Sequence, residues 1–179
     1  MFDPTAFDNL KTVLEGALYD SEFEGSLVLK DRKDLVDLSS LSRTYKMEVA
    51  LPNEIEDEGF AITSTITLHA DLENLSMELL KKETEVGCSL HLVFTIPKSL
   101  EDMIEVESIT SILKNIWGVN RTIEMTEKKL FQEGNFVQAS LNISVLFDRL
   151  ITEEQISDIP ELVQHLIHSL RELEAIWNG

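Results

Sequence analysis

The chain has 179 residues, 43% of them hydrophobic and 27% charged, enough for one folded domain whose core needs neither disulfide nor structural metal. Asp and Glu total 33 against 15 Lys and Arg, a formal net charge of -18. That balance argues against nucleic acid or an anionic membrane as partner, since both need clustered cations, and at long range it favours basic partners.

Cys88 is the only cysteine, so no internal disulfide forms. The opening "MFDPTAFDNL" lacks the basic-then-apolar pattern of a signal peptide, and no apolar run approaches the roughly 20 residues that span a bilayer. A cytoplasmic protein is expected. In that compartment the glycosylation-like "NRT" at 120 and "NIS" at 142 carry no meaning.

In chain order, Asp3 and Pro4 suit the start of a helix, and Ala6, Leu10, Val13, Leu14, Ala17 and Leu18 recur at spacings of three and four. "GSLVL" reads as a short strand, and "KDLVDLSSLSR" as a turn of helix or an irregular connection. Tyr45, Met47, Val49 and Leu51 then alternate with Thr44, Lys46 and Glu48, which predicts a strand with one buried and one charged face. An acidic loop "PNEIEDEG" leads to a second strand through Phe60, Ile62, Ile66, Leu68, Ala70 and Leu72. "ENLSMELLKKE" fits a short helix, although Leu75, Met77 and Leu79 also fit a strand; propensity leans to helix.

"VGCSLHLVFTI" is a clear strand, with Val86, Cys88, Leu90, Leu92, Phe94 and Ile96 on one face. "SLED" after Pro97 has capping-box spacing and predicts a helix start. Leu100, Met103 and Ile104 lie opposite Ile109, Ile112, Leu113, Ile116 and Trp117 on a helical wheel, so a break is expected near Val106, with a second helix ending at Gly118. "NRTIEMTE" and "FVQASLNISVLF" read as two strands joined by "QEGN". "TEEQ" at 152 repeats the capping spacing, and Pro160 begins a last helix running to about Trp177.

Helix, strands, helix, two strands and helix, with half-buried strands, predict an α+β fold over a single domain, 1–179. Its antiparallel sheet carries N-terminal, central and C-terminal helices packed on one face.

The familiar catalytic signatures are missing: no G-x-G-x-x-G, P-loop, H-E-x-x-H, paired C-x-x-C or G-x-S-x-G occurs. No cofactor and no metal are expected. His165 and His168 lie off the stripe formed by Leu162, Val163, Leu166, Leu170, Leu173 and Trp177, and so face water or its edge. Cys88 and His91 have opposite strand parity and cannot chelate one ion. The acids Glu54, Glu56, Asp57 and Glu58 lack calcium-loop spacing, and Glu101, Asp102, Glu105 and Glu107 suit a helix start.

One feature stands out among the strand faces opposite the apolar ones. They read Thr63, Thr65, Thr67, His69; Ser89, His91, Val93, Thr95; and Gln138, Ser140, Asn142, Ser144. In a chain that is 27% charged, twelve solvated positions should carry about three charges, and these carry none. Thr and Ser also suit ordinary exposed strands, so a merely solvated face is the alternative. If the strands are neighbours, the face is suited to being covered by a second subunit, a peptide or a small polar ligand, since interface cores are depleted in charge. Thr65, Thr67, His69, His91, Gln138 and Asn142 are the candidate binding residues. A second possibility is a small-molecule enzyme or ligand pocket using His69 and His91 as acid and base.

"SITSILKNIWG", the hairpin "FQEGNFVQASLNISVLF" and the helix "IPELVQHLIHSLRELEAIW" together resemble, in order and acidity, the small acidic type III secretion chaperones over roughly 108–177. The resemblance implies a dimer that holds an extended segment of another protein and catalyses nothing. The combined expectation is a protein- or peptide-binding, chaperone-like homo-oligomer.

Overall fold

The computed structural model describes residues 5–52, 61–79, 87–99, 102–103 and 105–177. Its elements run α1 (Thr5–Phe23), β1 (Val28–Asp37), β2 (Ser42–Ala50), β3 (Thr63–Ala70), α2 (Leu72–Leu79), β4 (Ser89–Lys98), α3 (Val106–Trp117), β5 (Thr122–Gln132), β6 (Asn135–Leu146) and α4 (Ile159–Trp177). The six strands form one antiparallel sheet in the order β1-β2-β3-β4-β6-β5. This is the α+β arrangement that the alternating strands require. None of the described helices is long and apolar enough to cross a membrane.

The first four strands form a meander. The chain then passes through α3 to the far edge and returns by the β5–β6 hairpin, which places β6 beside β4. Glu133 and Gly134, both at positive φ (52° and 82°), make the two-residue turn of that hairpin. α4 lies between α1 and α3 on one side of the sheet.

One core results. It takes Tyr45, Met47 and Val49 from β2, Ile66 and Leu68 from β3, Leu92, Phe94 and Ile96 from β4, and Leu141, Ile143 and Val145 from β6. Facing them are Leu10, Leu14 and Leu18 of α1, Ile109 and Leu113 of α3, and Val163, Leu166, Leu170 and Leu173 of α4. Each such side chain contributes about 1.5–3 kcal/mol by leaving water, so the helix stripes dock where the strand parities point. Phe7, buried at 1% exposure, extends the α1 stripe beyond its expected members.

Three expectations are corrected. Lys33 to Asp37 of "KDLVDLSSLSR" belong to β1, although Leu35 and Val36 are exposed, and only 38–41 form a connection, a turn into β2. This edge strand is held by charge where apolar burial is lacking. Lys11 of α1 meets Asp34 at 2.5 Å, Arg43 of β2 reaches Asp34 and Asp8 at 3.2 and 3.1 Å, and Arg32 pairs with Glu15. Burial alone would raise the Asp34 carboxyl, but the hydrogen bonds from Lys11 and Arg43 outweigh it and hold the group below its usual range. The turn that follows is closed by Asp37, whose Oδ1 accepts from Ser39 N, Ser39 Oγ and Ser40 N. Those bonds bring its pKa to about 2.

The second correction concerns "SLED": Ser99 N donates to Asp102 Oδ2 at 2.5 Å, yet the described residues there are not helical and α3 starts at Val106. Pro97 lies within β4. The helix after the expected break ends at Trp117, with Gly118 as its cap, as the wheel requires. Third, Val137 has the parity of the buried β6 residues but is 48% exposed, because β4 ends opposite Ala139 and the hairpin runs on past it. "ENLSMEL" is helical, with Asp71 Oδ1 accepting from Asn74 N at its start. The expected roles of Asp3, Pro4, Phe60, Val86, Leu100 and Glu101, and of the acidic cluster from Glu54 to Glu58, fall outside the described residues.

Across the helix-side end of the sheet, Lys98 Nζ donates to Glu127 Oε1 at 2.7 Å, and the lysine side chain is 4% exposed. The Lys98 hydrogen bond lowers the Glu127 pKa below its ordinary 4.5. A carboxyl lowered on folding stabilises fully above its unfolded pKa and ceases to do so as pH falls through the folded value. Glu127→Gln is therefore expected to melt below wild type at about pH 7, with the gap closing towards about pH 3. Thermal denaturation of both proteins across that range checks it; a gap independent of pH would contradict the ion pair's role.

Candidate functional site

Strand pairing brings the three uncharged stretches together. In successive rows across β3, β4 and β6, Thr67 pairs with His91 and His91 with Leu146; Thr65 with Val93 and Val93 with Ser144; Thr63 with Thr95 and Thr95 with Asn142. His69 pairs with Ser89 at one end and Pro97 with Ser140 at the other. Because the even-numbered partners in β3 and β4 fill the core under α1, α3 and α4, these side chains project from the opposite side of the sheet.

Five of the six candidates, Thr65, Thr67, His69, His91 and Asn142, thus stand on one patch. Gln138 does not join them. It pairs with Leu130 on the part of the hairpin that extends past β4. Val93, Thr63, Thr95, Ser144 and Leu146 complete the patch, and Val93 and Leu146 give it an apolar element. Leu146 belongs to the face but was not among the twelve expected positions; its parity with Ser144 was the available signal.

Charge returns only at the borders. On one side Lys46 and Glu48 of β2 flank Thr67 and Thr65; on the other Glu124 and Lys128 of β5 flank Ser144 and Ser140. Hydrogen bonds fix part of the surface in between. Thr44 Oγ1 and His69 Nδ1 lie 2.8 Å apart, and Ser89 Oγ donates to the His69 carbonyl at 3.2 Å. One polar atom is left over: Asn142 Oδ1 is buried and accepts no hydrogen bond among the described residues. A buried acceptor without a donor costs about 1–3 kcal/mol.

His91 is exposed and His69 partly so, both on open strand positions. His91 and the buried Cys88 point to opposite faces, as their parity demands. On α4, His168 is exposed within 3.4 Å of Glu172, whereas His165 is only half exposed. Its ring packs against Trp117 at 5.5 Å, and Trp117 Nε1 donates to the buried Ser169 Oγ at 2.9 Å, which in turn donates to the His165 carbonyl. His165 therefore helps dock α3 on α4. Among the described residues no three His, Cys, Asp or Glu side chains converge as metal ligands.

No family model, curated protein or solved structure matches this chain.

Proposed function

We propose that the protein is a non-enzymatic, chaperone-like binding module that self-associates through the uncharged face of β3, β4 and β6. The observation that carries this reading is the adjacency of those three strands, which gathers their uncharged positions into one patch. For a chain of formal charge -18, a second copy meets least repulsion where the local charge is zero. A two-fold axis running along the strands sets the β2 border of one copy over the β5 border of the other. The core of the contact stays uncharged, while Glu48 of one copy comes level with Glu124 of the other in the row through Val93, a like-charge contact that weakens the association.

Size sets the expected strength. Three strands about 4.8 Å apart and seven residues long cover on the order of 350 Å² in projection, and five strands about 550 Å². Roughly 800 Å² per partner is typical of a stable interface, so reversible association is expected. The open positions of His69 and His91 support a docking surface over a pocket that encloses a small molecule.

Sedimentation equilibrium across protein concentration tests the reading. Wild type is expected to approach twice its monomer mass by about 100 μM, whereas Thr67→Lys and Asn142→Lys stay monomeric with an unchanged melting temperature. A wild type that remains monomeric throughout, or variants that associate as wild type does, would sink it.

A further inference from the structure

A second site lies away from the sheet face, where the start of β4, the 147–151 connection and the beginning of α4 meet. They enclose a cleft of about 120 Å³ whose apolar wall is Leu90, Phe147, Ile151, Ile159 and Leu162. Its polar rim is Arg121, Arg149, Gln155 and Asp158. The two guanidinium groups outnumber the single carboxylate, so the cleft carries one positive charge in a chain of formal charge -18.

The arginines are available. Arg32 and Arg43 are tied to carboxylates, but among the described residues neither Arg121 nor Arg149 makes an ion pair. Arg121 lies over the Phe147 ring, 4.8 Å from its centroid. Phe147 is itself fixed edge-on against Trp117 at 5.7 Å. A cation–π contact of this kind uses none of the guanidinium N–H groups, which stay free for a planar, bidentate acceptor. Gln155 Oε1 accepts from Thr152 N at 3.2 Å in the capping box, which turns its NH₂ into the remaining donor.

We propose that this cleft binds a small apolar carboxylate, its hydrocarbon part against Leu90, Ile151 and Leu162 and its carboxylate between Arg121 and Arg149. An apolar cavity of about 150 Å³ accepts benzene, so this one suits a chain of about four or five carbons. A free short-chain acid and the C-terminal residue of a peptide share that chemistry. The site is independent of the sheet-face reading.

Calorimetric titration of the intact chain separates the outcomes, using pentanoate, 1-pentanol, N-acetyl-leucine and N-acetyl-leucinamide. Each carboxylate is expected to bind at least about 10-fold tighter than its neutral counterpart, and Arg121→Gln and Arg149→Gln each to lose about that factor. N-acetyl-leucine binding tighter than pentanoate identifies a peptide terminus as the source; the reverse identifies a free acid. Arg149 is exposed, so Arg149→Gln carries the test even if Arg121→Gln fails to fold. The proposal is overturned if neither carboxylate binds below about 10 mM, if acid and neutral twin bind alike, or if Arg149→Gln keeps the wild-type affinity.

Discussion

Gly87→Ala is expected to destabilise the protein by about 2–6 kcal/mol, read as a lower denaturant midpoint at unchanged slope. A Cβ at Gly87 would stand 2.5 Å from the Ile151 carbonyl oxygen and 3.1 Å from both the Ile151 carbonyl carbon and Leu150 Cβ. The nearest of these atoms are backbone and cannot rotate away. Relief must come from parting the chains, and there Cys88 N donates to Ile151 O at 2.9 Å and Ile151 N to Cys88 O at 2.8 Å. Overpacking costs about 1–3 kcal/mol, and each hydrogen bond lost adds about 0.5–1.5. A midpoint within error of wild type would mean that the 150–151 segment moves freely against the start of β4.

Phe94→Ala should cost about 3–5 kcal/mol, lowering the melting temperature by about 6–20 °C for a chain of this size. Phe94 is 0% exposed in the middle of β4, paired with Ser64 on one side and Ile143 on the other. Neighbours fixed in a sheet can close only part of the space its ring leaves. Ser64 supplies the internal comparison: it is equally buried, and its Oγ makes no hydrogen bond among the described residues. Ser64→Ala removes an unsatisfied hydroxyl and is expected to be neutral or stabilising by about 1 kcal/mol. Calorimetry of the two variants decides the matter; a costly Ser64→Ala would mean that the hydroxyl has a partner.

How much of this was legible in the sequence depended on whether a segment's order is local. The buried parity of β6 from Ala139 to Val145 is written in strict alternation, and the α3 boundary at Val106 in two apolar sets that one straight helix cannot bury together. The start of β1 was legible in "GSLVL", but its continuation from Lys33 to Asp37 was not, because its support is not apolar. Arg32 and Asp34 pair with Glu15, Lys11 and Arg43, and the first two of those partners lie on α1. Val137 followed the right parity but stands beyond the last residue of β4, a matter of strand length that no periodicity encodes.

The candidate face was readable strand by strand, since parity alone assigned Thr67, His91 and Asn142 outward. That β3, β4 and β6 are neighbours was not, because the sheet places β6 inside β5 through pairings between distant parts of the chain. The arginine-rimmed cleft gave no periodic signal at all. Arg121 and Arg149 lie outside the helices and strands and line one cleft only because the starts of β4 and α4 come together.

The inward turn of Cys88 has a practical side. The only sulfhydryl of the chain is 1% exposed beneath the 150–151 segment, so alkylating and dye-coupling reagents find no target on the native surface. A cysteine introduced at Thr67 or Arg149 would then be the single reactive handle on an unmodified background. Either the sheet face or the cleft can thus carry a probe without first removing a residue from the core.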